Sequence, residues 1–254
     1  MRNKKTKIMK KIIIAGFALL TMYSCDTLQQ VAGEVLLPPE GGTTTPALTN
    51  TEVIGGLKEA LNVAINNSSA AASVLDGFNA NSLIRLPFPK DAMAVKDYLT
   101  DKGLFKNQIE TFETTLNRAA EDATKTAAPI FLNAIKNMSI ADGFAILKGG
   151  DNAATNFLKE KTTASLITAF APSVKASIEK VELTKYWNPL VSKYNLSTIL
   201  TGKPKVNADL EQYVTNKAVA GLFILMATEE NKIRKDPVAR VTDILKKVFG
   251  SLDK

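Results

Sequence analysis

Ala218-Val219-Ala220-Gly221-Leu222-Phe223-Ile224-Leu225-Met226-Ala227 is an unbroken apolar run at the centre of a stretch, Ala208 to Lys235, that keeps helical spacing throughout. A helix that is apolar on every side has to be covered all round, so this stretch is predicted to be the central element on which other helices pack. Toward the C-terminus, Asp236 reads as a cap and Pro237 as the first turn of an amphipathic helix. Its stripe is Val238, Val241, Ile244, Leu245, Val248 and Phe249, and Gly250 stops it. Toward the N-terminus, Lys185 to Tyr194 and Thr162 to Val181, with a break expected near Pro172, are helical pieces that should pack on the central one.

Farther out, Ile109, Phe112, Leu116, Ala119, Ala120 and Ala123 share one helical stripe whose alanines let a neighbour approach closely, and Pro129 has to kink or restart the chain. Ser139 to Asp142, and Asp151 after Gly149-Gly150, read as two helix starts. Thr49 to Glu52 matches a capping box that opens a helix through Val53, Leu57, Leu61, Ala64 and Ile65, fading near Asn66 to Ser69. Another helix runs from near Lys90 to Gly103. Leu83 to Pro89 is the exception, because Pro87 and Pro89 force it to be extended or turned, at most a short edge strand. Alternating β patterns are nearly absent and no constant repeat occurs. The fold class is therefore all-α: a single compact multi-helix domain of about eight to ten helices over residues 50–254.

The preceding 49 residues read as an address and a tether. Met1 to Lys11 carries six cations and no acid, Ile12 to Met22 is apolar apart from Thr21, and Tyr23-Ser24-Cys25 follows. The apolar run is too short to span a bilayer, which needs about 20 helical residues, so residues 1–24 are read as a signal peptide. Cys25 is the only cysteine of the chain, and its solitude and position point to lipid attachment. Residues 25–49 contain Pro38-Pro39, Gly41-Gly42 and Pro46 with no regular period. They are expected to form a flexible tether with a mean span of about 25–30 Å. The expected location is the bacterial cell envelope, lipid-anchored and facing the periplasm, with inner and outer membrane left open.

Removing the head takes six of the 32 basic groups and leaves 26 against 25 acidic ones. The domain is near neutral, so its net charge points neither to nucleic acid nor to an electrostatic grip on anionic membrane. No histidine is present, and acylation would occupy the single thiol, which removes the groups most often used as general base, activated nucleophile or transition-metal ligand. No phosphate-cradling glycine loop occurs, and neither cofactor nor metal is expected.

Arginine stands out by scarcity: after the leader only Arg85, Arg118, Arg234 and Arg240 occur, against 22 lysines. Such a chain uses arginine where a bidentate fork is wanted. Rotating by about 100° per residue places Glu229 on the face of Ala218, Leu222 and Leu225, while Glu230 and Arg234 fall to the side as an i, i+4 pair. Glu229 is therefore the candidate for an internal ion pair with an arginine. By the same construction Asn117, Arg118 and Glu121 lie opposite their helix's apolar stripe, on a face that is solvated unless another helix covers it.

Several phrases occur together in order: Asn117-Arg118-Ala119-Ala120-Glu121, Phe131 to Met138, Leu147-Lys148-Gly149-Gly150-Asp151-Asn152-Ala153-Ala154-Thr155, Glu230 to Arg234, and Asp236-Pro237-Val238-Ala239-Arg240. Together they resemble a bacterial family of envelope proteins known as domain of unknown function 4197, over nearly all of residues 50–250. The resemblance implies an exported helical domain, often behind a lipoprotein signal, with no assigned activity, substrate or cofactor. Its polar motif positions here are Asn117, Arg118, Glu121, Asp151, Thr155, Glu230, Arg234 and Arg240. With Glu229 they form a possible polar cluster or ligand groove.

Three functions fit these readings. The first is a non-enzymatic binding or scaffolding lipoprotein that meets an unknown envelope protein. The second is a carrier of an apolar ligand such as a lipid, between the alanine-rich helix 104–126 and the central helix. The third is a hydrolase of an envelope polymer acting through carboxylates such as Glu121, Glu229 or Asp151, which requires two of them to face one open cleft.

Overall fold

The computed structural model describes residues 47–253. The segments expected to be leader and tether, with Cys25, lie wholly or nearly so outside the described residues. Within them the chain forms nine α-helices and no strand, so the all-α expectation holds. The helices are α1 (Asn50–Ala72), α2 (Met93–Asp101), α3 (Lys106–Thr124), α4 (Ala127–Asn137), α5 (Gly143–Leu147), α6 (Ala153–Lys180), α7 (Leu183–Thr201), α8 (Leu210–Lys235) and α9 (Asp243–Gly250).

α8 is the axis of the domain, packed against α1 and α6 and touching α3. Its cover is incomplete, since Ile224, inside the apolar run, is 44% exposed. These neighbours leave one side of the helix open, and the run is broader than the face they bury. α1 reaches beyond α8 to α4, α5 and α9. At its crossing with α9 it carries Gly56, where an added Cβ would lie 2.6 Å from the Val248 side chain, so only glycine admits this approach. Thr49 and Glu52 form the expected capping box, and α1 runs through the polar Asn66 to Ser69 stretch to Ala72 because Ser68 and Ser69 are themselves buried.

A second layer is built on α3. α7 packs there and on α2 rather than on the central helix, with Trp187 5.1 Å from the Phe112 ring and 6.0 Å from that of Phe88. Neither internal proline breaks its helix: α6 passes Pro172 and α7 passes Pro189. Both prolines are exposed, and so are Thr168 and Lys185, whose carbonyls lose a hydrogen bond and are left to water. The C-terminal stripe is shorter than predicted. Asp236 caps a single 3-10 turn, Pro237–Ala239, then Thr242 caps α9, and Val238 and Val241 are 86% and 64% exposed. Arg240 separates the two turns because its side chain is drawn inward, as described below.

Candidate functional site

Two short polar networks account for most of the singled-out residues. The first sits where α5 ends, α6 begins and α8 passes. The N-cap residue of α6, Asn152, has a left-handed backbone (φ 63°) and makes no side-chain cap, and Asp151 is exposed and binds Lys235 at 2.5 Å. The first N–H groups of a helix have no partner within it. Here Glu230 supplies one from α8: its carboxylate accepts from the Ala154 N–H at 3.0 Å and the Thr155 N–H at 2.7 Å. The negative charge also lies at the positive end of the helix dipole. Arg234, one turn on, donates through Nε to Glu230 at 2.8 Å and through its other nitrogens to the carbonyls of Leu147 (2.7 Å) and Ile146 (3.3 Å), the open end of α5. Its guanidinium lies 5.5 Å from the Phe249 ring centroid. One ion pair thus closes the start of α6 and the end of α5.

Arg240 extends the same logic to the end of α8. Its Nε donates to the Ile233 carbonyl at 2.9 Å and one terminal nitrogen to the Arg234 carbonyl at 3.0 Å, while both terminal nitrogens bind Asp253. The Asp253 pairing holds the Arg240 guanidinium above its ordinary value, and Arg240 in turn holds the Asp253 carboxyl below its own. Thr155 is buried, and its hydroxyl, like the Asn152 side-chain oxygen, has no protein partner.

The second network joins α3 to the non-helical segment between α1 and α2. Glu121 accepts from the N–H groups of Phe78 and Asn79, both at 3.1 Å, and from Arg118 at 2.7 Å. Arg118 also donates to Asp76 at 2.8 Å, and Asn79 donates to the same carboxylate at 2.9 Å. These two donors, Asn79 first, hold the Asp76 carboxyl below the ordinary aspartate value. Asn117 clamps Leu86 as a strand neighbour would, accepting from its N–H at 2.7 Å and donating to its carbonyl at 2.9 Å. This is the partner that the proline-flanked stretch lacked in sequence.

Two expectations therefore change. The Asn117, Arg118, Glu121 face is largely covered: Asn117 is fully buried, Glu121 nearly so and Arg118 in part, under the 73–89 segment rather than under a helix. The internal carboxylate of α8 is Glu230, not Glu229. Glu229 binds Lys232 at 2.5 Å and Asn67 at 2.8 Å near the surface. Its partial burial opposes ionisation, yet these two donors hold its carboxyl below the ordinary glutamate value. A sequence signal for Glu230 existed: Phe223, Met226 and Ile233, at i−7, i−4 and i+3, are all buried on its face. No comparable signal marked Asp76, Asn67 or Asp253.

The named polar positions do not gather into one concavity. Glu230, Arg234, Thr155 and Arg240 belong to one network, with Asp151 at its edge, and Asn117, Arg118 and Glu121 to another. A cleft of about 810 Å³ lies between α4 and α6, lined by Pro129, Asn133, Met138, Lys161, Ser165 and their neighbours, and contains none of them. The carboxylates of Glu121 and Glu230 face main-chain N–H groups, an arrangement suited to joining elements. Ala119, Ala120 and Ala123 on α3 are buried in the core. Among the described residues no group of acidic side chains converges as a metal site, and no helix is long and apolar enough to cross a membrane.

A family model described as "Protein of unknown function (DUF4197)" matches residues 47–250. No curated protein and no solved structure matches the chain.

Proposed function

This chain belongs to the DUF4197 family, and from that premise we propose that it is a membrane-anchored, periplasm-facing lipoprotein whose helical domain is a non-enzymatic binding or scaffolding module of the cell envelope. The observation that carries the non-enzymatic part is the use of Glu121 and Glu230. Each accepts two main-chain N–H groups and an arginine, so the family-like carboxylates join segments of the fold and do not face a shared cleft. A hydrolase working through paired carboxylates needs the opposite arrangement. The anchoring part is supported by the basic head, the short apolar run and the solitary Cys25.

Intact-mass measurement of the native product tests the anchor, with loss of residues 1–24 and acyl chains on Cys25 as the expected result. An unmodified thiol or a retained leader would sink it. For the module, the test is a complementation series in a strain lacking the gene. Carboxylates outside the two buried networks exchanged for amides, including exposed Asp151→Asn and half-buried Glu229→Gln, should retain full envelope function, whereas loss of function in a variant of undiminished stability would point to chemistry instead.

A further inference from the structure

The last turn of α7 ends in an apolar tip. Leu196, Ile199 and Leu200 are 63%, 70% and 92% exposed, on neighbouring positions of one helix face, while Tyr194 and Thr198 on the other side are buried. Scattered surface leucines need no explanation, but three large apolar side chains on adjacent positions form a contiguous patch.

The segment that follows the tip is fixed in place and carries lysine but no acid. Gly202 ends the helix with a left-handed backbone (φ 64°), and the chain then folds back along α7. Asn195 clamps it, accepting from the Val206 N–H at 2.9 Å and donating to the Val206 carbonyl at 3.0 Å, and the Tyr194 hydroxyl donates to the Pro204 carbonyl at 3.3 Å. These bonds hold Lys203 and Lys205, both exposed, beside the tip, and exposed Lys193 lies on the same face as Leu196 and Leu200. From Leu183 to Ala208 there is no acidic residue. α2, packed alongside through Tyr98 against Tyr194, brings Asp97, Asp101 and Lys102, and its Lys96 is paired with Glu113 at 2.6 Å, so the lysine excess belongs to α7 and the segment that follows it.

Large aliphatic side chains with lysines close by in the chain match an anionic lipid leaflet: the side chains enter the acyl boundary and the ammonium groups meet lipid phosphates. We infer that the α7 tip is a membrane-docking surface that seats the domain on an anionic leaflet. Its local charge supplies what the near-neutral net charge of the domain does not. The inference rests on the proposed lipid anchor for its biological setting, because a tethered domain stays near the leaflet and a weak second contact then suffices.

The test is flotation of the mature chain, residues 25–254, carrying Cys25→Ser so that no acyl chain contributes. The vesicles are phosphatidylcholine alone or with roughly one third phosphatidylglycerol. The chain should float with the anionic vesicles and not with the neutral ones, and added salt should release it. Leu196→Ser, Ile199→Ser and Leu200→Ser together should lower binding at least about tenfold, and each of Lys193→Gln, Lys203→Gln and Lys205→Gln about fivefold. All six side chains are exposed, so unchanged melting temperatures will show that the variants are folded. Absence of flotation on anionic vesicles, flotation that the triple variant leaves intact, or photo-crosslinks in cells running from position 199 to an envelope protein instead of lipid would each overturn the inference. Acylation of Cys25 is read separately by intact mass, so failure of the anchor and failure of the docking surface are distinguishable.

Discussion

Glu230 and Glu121 hold the same set of partners, two consecutive main-chain N–H groups and one arginine of the same helix, in surroundings that differ in the access of water to that arginine. Around Glu230 the ion pair is sealed, with side-chain exposures of 0% for the carboxylate and 5% for Arg234, and the arginine's remaining donors end on main-chain carbonyls. Around Glu121 the carboxylate is as well covered, at 5%, but Arg118 is 26% exposed and its second branch ends on Asp76, which is 45% exposed. The difference teaches that one local motif can have two structural weights. A sealed pair closes helix ends deep in the domain, whereas a pair that opens to water fastens a surface segment.

The largest effect is expected at Glu230. Glu230→Ala strands a buried guanidinium and two helix N–H groups, and should cost about 3–5 kcal/mol, the range found when one partner of a buried pair is removed. For a domain of this size that is a fall in melting temperature of about 10 °C, read by calorimetry. Glu121→Ala should cost less, about 1–3 kcal/mol, because Arg118 can turn to water and only the Phe78 and Asn79 N–H groups lose a partner. Double-mutant cycles sharpen the contrast: the coupling of Glu230 with Arg234 should exceed that of Glu121 with Arg118, and equal couplings would show that exposure does not govern the difference.

Asn117→Ala tests the surface-facing region by another route. Losing both bonds to Leu86 should cost about 1–2 kcal/mol and speed hydrogen exchange at the Leu86 amide, with amides at the start of α6 unchanged. The smallest effect is expected at Asp76, whose folded-state carboxyl is held below the ordinary value of 3.8. A depressed value means that its contribution is present at neutral pH and is lost as pH falls through and below that value. Asp76→Asn should therefore lower the melting temperature slightly at pH 7 and make no difference well below pH 3.8, in paired melts of variant and parent.

How far these networks could be read beforehand depended on the range of the interactions. The capping box at Thr49 and Glu52, the stripe of α3 and the stop at Gly250 are set within one turn, and each is where its residues placed it. Pro172 was legible as a residue but not in effect, because a proline leaves its helix whole where the freed carbonyl meets solvent. The choice between Glu229 and Glu230 is a rotation of about 100°, and it turns on which side of α8 the start of α6 occupies. That start lies 76 residues away in sequence for the Ala154 bond. Asn117 was legible as a polar residue opposite an apolar stripe. That an extended segment 31 residues earlier would take its amide as a strand partner was not.

By itself the amino-acid sequence determined the all-α class, most helix positions, the family, and the polar residues that recur with its motifs, because helical periodicity and capping are properties of neighbouring residues. Only the tertiary structure decided what those polar residues do. A carboxylate's role follows from the N–H groups and cations brought within 3 Å of it, and these come from segments whose meeting depends on how the helices pack.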